Sequence, residues 1–534
     1  MTDRYQVLVA DAIATEGLEP LRADDRFELV QRPGLSGDDL ADAIAGADAV
    51  LVRSATHITR ESLGRADRLR VIGRAGVGVD TIDVDAATER GIAVLTAPSG
   101  NTVSAAELTL ALLLSLVRRV PAADRSMKAG EWERKGFNGS ELYGKTLGLV
   151  GAGRIGGEVA RRARAFGMRV ICHDPFLTGE RAGVLDIELA SLDDVLARAD
   201  VLSLHVPLSD DTRGMVGDVQ IARMKTGAYV VNAARGGVID ERALREALES
   251  GHLAGAALDV YEEEPLPASH PLRALPNVVL TPHLGASTVE AQQNVAIEIA
   301  QAVRAALVDG DLSRAVNAPA LGGEEMRRLR PLLSLIERLG RLAAEIAGGG
   351  LHRVEVRYAG AAENALRPLA ANALVGALAP ALGARDVNFV NALYLAEARG
   401  IEVRRTRLDS HGAYSEYVEV RAGARDGEAR VAGALLGHGH PRIVRIAEFH
   451  VDIVPRGTLV VLRNRDVPGV IGRVGTLLGE AGVNIGEYHQ ARLEAGGGGE
   501  ALAAISVDGR LERETIQRLR ALPEVLDVMQ VHLD

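Results

Sequence analysis

Three side chains in the middle of the chain have the chemistry to hold an acid and to move a proton. Arg235 lies in VVNAARGGVID, Glu264 in ALDVYEEEP and His283 in LTPHLGAST. A guanidinium grips a carboxylate through two charge-assisted hydrogen bonds. An imidazole exchanges protons near neutral pH, and a carboxylate beside it orients the ring and stabilises its charged form. Taken singly, each has a plainer interpretation, as a surface arginine, a solvated glutamate or a structural histidine.

A glycine-rich segment upstream predicts a nucleotide partner for that chemistry. In LGLVGAGRIGGEVA, Gly151, Gly153 and Gly156 follow an apolar run and open a helical pattern. They suit a tight turn, a close backbone approach to a pyrophosphate, and close packing of helix on strand, respectively. Asp174 ends the next β-rich run about eighteen residues later, where a carboxylate binds ribose hydroxyls and repels a 2'-phosphate. The pattern predicts NAD rather than NADP, and a turn that serves only sheet packing is the alternative.

The elements around these residues alternate between short β-rich runs and helical patterns. The runs are QVLVA, FELV, AVLVRS, RVIGRA and IAVLTA, and then, beyond a helix predicted over 103–117, KTLGLVGAGRIG, RVICHD, ADVLSLHVP, GAYVVNAARGG, AGAALDV and NVVLTPH. Such alternation predicts an α/β fold with two doubly wound parallel sheets. The second sheet would place the acid-binding and proton-transferring residues beside the nucleotide. That placement favours hydride transfer between a 2-hydroxy acid and nicotinamide.

Four domains are predicted along the chain. A strongly helical stretch after Pro282 suggests that the chain returns to the first domain, although periodicity alone cannot show such a return. The last segment reads strand, helix, strand, strand, helix, strand, which is a ferredoxin-like order. The predicted domains are 1–98 with 287–318 for the substrate, 99–286 for the nucleotide, 319–455 of α+β type, and 456–534 of ferredoxin-like type.

The composition excludes several classes of protein. A formal charge of -11 provides no general attraction for nucleic acid. Cys172 is the sole cysteine, so no intrachain disulfide can form. The apolar stretch over 108–117 is too short to cross a bilayer, and the acidic start is unlike a signal peptide. A soluble cytoplasmic protein that binds neither membranes nor nucleic acid is expected. His438 and His440 lack metal-ligand spacing, and no metal site is predicted.

In order and spacing, these motifs resemble the D-isomer-specific 2-hydroxyacid dehydrogenases over the first 320 or so residues. The resemblance implies that Arg235, Glu264 and His283 are the catalytic residues. It also implies NAD contacts in the glycine loop, after later strands and around the histidine. These contacts are Gly151, Gly153, Arg154, Ile155, Gly156, Asp174, Ala233, Ala234, Arg235, Asp259, His283, Gly285 and Ala286. Valine at positions 77 and 206, where a hydroxyl residue is common in the family, leaves only packing or backbone contacts there.

Other segments resemble the phosphoglycerate dehydrogenases within that family, namely VRSAT, GRAGVGVD, PSGNTVSAAELT and WERKGF. The resemblance implies 3-phosphoglycerate as substrate, bound by Arg53, Arg74 and Asn101, with Arg134 reaching the phosphate from a neighbouring subunit. Arg53 and Arg74 also end predicted parallel strands, where such sheets bind ligands. Arginines that merely pair with nearby acids are the alternative.

The C-terminal half resembles an intervening domain followed by an ACT domain, a module that binds amino acids between paired copies. The matching stretch, RNRDVPGVIGRVGTLLGEAGVNI, implies effector contacts at Asn464, Asp466 and Asn484 and feedback inhibition by L-serine. Retention of the module for assembly alone is the alternative. A homodimer or homotetramer is expected. Two other functions stay open: a dehydrogenase of another D-2-hydroxy acid such as 2-hydroxyglutarate, and a nonenzymatic NAD-sensing regulator.

Overall fold

A computed structural model describes residues 4–319, 321–410, 414–437, 439–493 and 499–534. Its strands form four sheets of five, seven, six and four strands, in chain order. Within these residues, none of the helices combines the length and the apolar character needed to span a bilayer. His438, considered above with His440, lies outside the described residues.

The first sheet is parallel throughout, with strand order β2-β1-β3-β4-β5. This is the flavodoxin-like order of doubly wound folds. The central strand β3 and the edge strand β5 are both buried along their whole length, as parallel strands covered on both faces must be. The elements are β1 (Tyr5–Val9), α1 (Glu19–Arg22), β2 (Phe27–Gln31), α2 (Gly37–Ala45), β3 (Ala49–Val52), β4 (Val71–Arg74), α3 (Val84–Glu89) and β5 (Ala93–Thr96).

The second sheet is also parallel, with order β12-β11-β10-β9-β6-β7-β8. Its direction of winding reverses between β6 and β9, as in a Rossmann fold. The elements are α4 (Thr102–Val117), α5 (Val120–Lys128), β6 (Thr146–Val150), α6 (Arg154–Ala165), β7 (Arg169–His173), α7 (Gly179–Leu185), β8 (Glu188–Leu189), α8 (Leu192–Arg198), β9 (Val201–Leu204), α9 (Asp218–Ala222), β10 (Ala228–Asn232), α10 (Glu241–Glu249), β11 (Leu253–Leu258) and β12 (Val278–Leu280).

After this sheet the chain runs back toward the first one. The helix α11 (Val289–Asp309) packs Val295, Ile299 and Val303 into the same apolar core as strands β1, β3 and β4. The helix α4, at the start of the nucleotide region, packs instead on the second sheet. The residue boundaries of the four domains stay predictions.

The third sheet has order β14-β13-β15-β16-β17-β18 and is antiparallel except for the pair β13 and β14. Two long helices pack on it and on each other through leucine and alanine side chains. The elements are α12 (Gly323–Ala347), β13 (Leu351–Ala359), α13 (Leu366–Leu382), α14 (Ala392–Ala398), β14 (Glu402–Arg407), β15 (Tyr417–Ala424), β16 (Glu428–Leu436), β17 (His440–Ile446) and β18 (Phe449–Ile453).

The fourth sheet is antiparallel with order β20-β21-β19-β22. Its elements are β19 (Thr458–Arg465), α15 (Val470–Glu480), β20 (Ile485–Arg492), β21 (Glu500–Val507), α16 (Arg513–Arg520) and β22 (Val525–His532). The βαββαβ order is the ferredoxin-like arrangement. The predicted fold class is therefore confirmed for all four parts of the chain.

Candidate active site

A cavity of about 500 Å³ lies between the first two sheets. It is formed by loops at the carboxyl ends of both sheets, where open α/β folds bind their ligands. Most of the predicted site residues lie together on its walls. They are Arg53, Arg74, Asn101, Arg154, Ile155, Ala233, Ala234, Arg235, Glu264, His283, Gly285 and Ala286. Val77 and Val206 also line it, and neither side chain can donate a hydrogen bond.

His283 and Glu264 form a hydrogen-bonded pair at this cavity. Nδ1 of His283 lies 2.7 Å from Oε2 of Glu264, and Oε1 of Glu264 accepts a hydrogen bond from the Tyr261 amide at 3.0 Å. The hydrogen bond to Glu264 raises the pKa of His283. Burial works to raise the pKa of Glu264, but its hydrogen bond to His283 and the charge of that ring bring it below the ordinary value. The geometry suits an imidazole that takes up a proton and a carboxylate that stabilises the cation.

Asp259 holds the loop that carries His283. Its Oδ1 accepts hydrogen bonds from the Thr281 hydroxyl at 2.6 Å and the Leu284 amide at 2.7 Å, and its Oδ2 accepts one from Gly285 at 2.9 Å. The side chain is fully buried, and burial raises its pKa. His283 itself has a φ of 53°, a left-handed conformation that is uncommon outside glycine. Asp259 therefore lies beneath the loop rather than on the cavity wall, and its contact with NAD stays a prediction.

Arg235 is held by a neighbour that the sequence motifs did not single out. The buried Asn232, at the end of β10, donates to the Arg235 carbonyl at 2.8 Å and accepts from the Ala234 amide at 3.1 Å. A Cβ on Gly236 would lie 1.7 Å from the Tyr261 carbonyl oxygen, so only glycine lets the loop pass there. An asparagine that ends a buried strand directly before a functional loop was the available signal.

Arg53 and Arg74 supply further positive charge to the cavity. Arg53 follows β3, and its backbone amide donates to Asp11 at 2.5 Å. Arg74 ends β4 and donates to the Ala75 carbonyl at 3.1 Å. Burial, together with the charges of Arg53 and Arg235, lowers the pKa of Arg74 to about 10. Mutual repulsion of these guanidinium groups means that an anion in the cavity is strongly favoured.

The glycine loop is shaped to accept a nucleotide. Gly151 has a φ of 90°, and a Cβ there would meet the His205 carbonyl oxygen at 2.7 Å. A Cβ on Gly156 would meet the Gly151 carbonyl oxygen at 2.3 Å, whereas one on Gly153 would meet nothing within 4 Å. The second glycine therefore faces open space at the start of α6, whose first amides point to an incoming pyrophosphate. These observations fit NAD.

Asp174 borders the nucleotide site that the glycine loop forms. It follows β7, and its Oδ2 accepts a hydrogen bond from the Ala152 amide of the glycine loop at 2.9 Å. Its Oδ1 accepts one from the Phe176 amide at the same distance. The carboxylate is half-buried and carries lone pairs that remain available to ribose hydroxyls.

His205 is a further residue of this cavity that the sequence motifs did not reveal. It follows β9 at the point where the strand order reverses, and its Nε2 lies 2.9 Å from the Ser203 hydroxyl. Burial lowers the pKa of His205 to about 4, so the ring is neutral at physiological pH. Its position after a strand at the reversal point was the only available signal.

The remaining predicted residues lie elsewhere. Arg134 is exposed and does not line the cavity. In the fourth sheet, Asn464 is buried, and the Asp466 carboxylate lies 3.1 Å from Arg492. The Asn484 side chain donates to Asp508 at 2.9 Å. The structure therefore does not bring the three predicted effector residues together within one copy.

Family models match three parts of the chain. Residues 110–285 match the "D-isomer specific 2-hydroxyacid dehydrogenase, NAD binding domain". Residues 328–447 match the "D-3-phosphoglycerate dehydrogenase intervening domain", and residues 458–524 match the ACT domain. These matches correspond to the second, third and fourth sheets.

Relatives align with this chain along nearly its whole length. The D-3-phosphoglycerate dehydrogenase of Bacillus subtilis is 41% identical over 530 residues, which cover 99% of this chain and 100% of the relative. That of Archaeoglobus fulgidus is 40% identical over 528 residues, with the same two coverages. The chain belongs to the D-3-phosphoglycerate dehydrogenase family. As a member of this family it is an NAD-dependent dehydrogenase, which confirms the predicted enzyme class and cofactor.

Solved structures match the dehydrogenase half of this family member. The TT0316 protein of Thermus thermophilus is 40% identical and has a TM-score of 0.52 over 57% of this chain and 96% of its own. The D-lactate dehydrogenase of Aquifex aeolicus, solved with NAD and lactic acid, is 31% identical with a TM-score of 0.51 over 58% and 97%.

Proposed function

We propose that the protein oxidises 3-phosphoglycerate to 3-phosphohydroxypyruvate with NAD, the first step of L-serine biosynthesis. The 2.7 Å contact between His283 and Glu264, in a cavity shared with Arg235 and the glycine loop, carries the proposal. The names of the full-length relatives support the choice of substrate.

The proposed steps follow from the chemistry of the side chains. Nδ1 of His283 faces Glu264, which leaves Nε2 to take the proton of the substrate's 2-hydroxyl. Glu264 stabilises the imidazolium that results. Arg235 grips the substrate carboxylate with its planar fork. The glycine loop would hold NAD, which would supply the acceptor for the hydride of the same carbon.

The other arginines would bind the far end of the substrate. Arg53 and Arg74 place two positive charges on the first-sheet side of the cavity, opposite His283 and the glycine loop. Burial and the neighbouring arginines lower the pKa of Arg74, and a phosphate dianion would offset both by stabilising its charged form. Asn101 adds a buried side-chain oxygen that has no hydrogen-bond partner among the described residues. The amide NH2 group of the same side chain can donate a hydrogen bond to a phosphate oxygen.

Steady-state rates test the assignment. Purified protein is supplied with 3-phosphoglycerate and NAD, and separately with NADH and either 3-phosphohydroxypyruvate or 2-oxoglutarate, while NADH absorbance is followed. We expect the protein to turn over 3-phosphoglycerate and 3-phosphohydroxypyruvate, with a larger kcat/KM than for 2-oxoglutarate. Faster reduction of 2-oxoglutarate would instead assign the 2-hydroxyglutarate reaction. Unchanged absorbance with every acid, despite measured NAD binding, would point to a nonenzymatic regulator.

Feedback by L-serine through the ACT domain is part of the same proposal. Asn464 lies next to the last residue of β19, and Asn484 directly precedes β20. The two strands run in the same direction, so the start of β20 lies at the same end of the sheet as the start of β19. The two asparagines thus lie at opposite ends of the sheet, and a two-fold axis between copies would bring unlike ends together. A homodimer or homotetramer is therefore required for a complete site. Rates measured with serine, and with glycine as a control that lacks the hydroxymethyl group, test the inhibition.

A further inference from the structure

A second cavity, of about 550 Å³, opens between the first sheet and the helices of the third. Five arginines line it, and we refer to it as the basic cleft. They are Arg68, Arg70, Arg90, Arg330 and Arg385. Arg70 directly precedes β4 and Arg90 lies just before β5, so the cleft lies at the amino ends of these strands. The candidate active site lies at their carboxyl ends, so the two cavities are separate.

The walls of the basic cleft are fixed to each other. The Asn388 side chain, from the loop before α14, donates to the Gly91 carbonyl at 2.9 Å. Val390 is 8% exposed and packs in the apolar core of the first sheet. The Tyr394 hydroxyl donates to Glu89 at 2.7 Å, across the same junction. A ligand would therefore enter a preformed space rather than create one.

Three of the five arginines lack an acidic partner among the described residues. Arg68 is paired with Asp48 at 2.9 Å, and Arg330 donates to the Asp309 carbonyl at 2.9 Å. Arg70, Arg90 and Arg385 have no carboxylate oxygen within 4.0 Å in the described part of the chain. Among the described residues, the guanidinium of Arg70 makes a cation–π contact alone, with its carbon 5.8 Å from the centre of the Tyr5 ring.

The acids of the basic cleft do not cancel this charge. Asp67, Asp309 and Glu337 also line it, against five arginines. Burial raises the pKa of Glu337, which disfavours its charged form. The lining is therefore net positive, and unpaired guanidinium groups in a concave site favour oxyanions with two or more charges.

We infer that the basic cleft is a second anion site of the protein, which binds a small phosphate-bearing metabolite at the junction of the first sheet and the intervening domain. The volume suits a small molecule, since ligand cavities are typically about 300–1,000 Å³. The fixed walls and the unpaired arginines of both parts of the chain provide the shape and the charge.

Calorimetric titration of the full-length protein tests the inference. Because phosphate is also expected at Arg53 and Arg74, the titrations use a parent in which both are changed, Arg53→Gln/Arg74→Gln. Inorganic phosphate and glycerol 2-phosphate serve as probes of a free phosphate and of a phosphate ester. We expect at least one probe to bind. Adding Arg70→Gln/Arg385→Gln should weaken that binding on the order of tenfold or more, since two charge-assisted contacts are removed.

Two controls distinguish lost binding from lost folding. Arg32→Gln removes an exposed arginine of the first domain that does not line the cleft, and it should leave the affinity unchanged. Arg70→Lys/Arg385→Lys keeps both charges and should retain more affinity than the glutamine pair. The inference is overturned if neither probe binds in the millimolar range, or if the Arg70→Gln/Arg385→Gln change leaves affinity as it was. Neither outcome bears on the proposed dehydrogenase activity.

Discussion

The dehydrogenase cavity and the ACT domain assemble their predicted residues in opposite ways. Around the cavity, residues far apart in sequence, such as Arg74, Arg235 and His283, share one space within a single chain. In the ACT domain, Asp466 and Asn484 are only eighteen residues apart in sequence, yet they lie at opposite ends of the sheet. Separation in sequence therefore does not indicate which residues share a site.

Strand direction explains the difference. Parallel strands end at one edge of their sheet, so the loops that follow them converge. In the ferredoxin-like sheet, β19 and β20 are parallel and are joined by α15, so the residue after β19 and the residue before β20 lie a full strand length apart. Eight residues of strand span roughly 25 Å. A ligand smaller than that distance cannot touch both ends in one copy.

The largest effect is expected from His283→Ala. Without the imidazole the proposed acceptor of the hydroxyl proton is lost, and kcat for 3-phosphoglycerate should fall about 10²- to 10⁴-fold. NAD affinity, measured by NADH fluorescence, should change little because the glycine loop is untouched. His352→Ala, an exposed histidine on β13, is the matched control. If the variant keeps its rate, His283 takes no part in the mechanism, and the case for a catalytic site within a single chain fails with it.

Arg74→Gln should weaken substrate binding rather than impair proton transfer. Loss of a charge-assisted contact to phosphate should raise KM for 3-phosphoglycerate about 10- to 100-fold. KM for D-glycerate, the same acid without the phosphate, should change far less. Arg65→Gln removes an exposed positive charge from the same domain and controls for the general effect of losing a charge. Equal effects on both acids would mean that Arg74 does not contact the phosphate.

Glu264→Gln should move the pH profile. Oxidation needs neutral His283, so its rate falls as pH drops through the pKa of that histidine, which Glu264 raises. Removing the carboxylate lowers this pKa, so the acid limb of oxidation should move to lower pH. Reduction needs the protonated ring, so its rate falls as pH rises through the same pKa. In the variant this fall should occur at lower pH than in the parent. Glu263→Gln, at the exposed neighbouring position, should leave both profiles in place. An unmoved profile would separate Glu264 from the proton transfer.

Local sequence patterns were sufficient to predict much of the fold and the cavity. The glycine spacing, the β-rich runs and the residues that follow them pointed to loops that lie around one cavity, with Arg154, Arg235 and His283 on its walls, because parallel strands place such loops at one edge. The roles of these residues stay predictions. The supporting contacts of Asn232 and the burial of Asp259 depend on how loops pack, which no short pattern encodes. The basic cleft was also missed, because its arginines come from two domains and carry no common motif.

The smallest effect, and the sharpest test of the comparison, is complementation between ACT variants. Asp466→Ala and Asn484→Ala should each abolish serine inhibition while leaving the uninhibited rate unchanged. If each site joins Asp466 of one copy to Asn484 of another, co-expression of the two variants yields mixed pairs with one intact site. Partial inhibition should then return, in roughly half of the pairs for random mixing.

The matched control uses two variants from the same end of the sheet. Asp466→Ala mixed with Asn464→Ala cannot rebuild a site, since every pairing leaves that end damaged in both copies. Recovery in the first mixture and none in the second would place the effector between copies. If both mixtures stay insensitive while the parent responds to serine, the effector does not bridge Asp466 and Asn484. The effector site would then be formed by residues other than this predicted pair, and the contrast with the dehydrogenase cavity would fail.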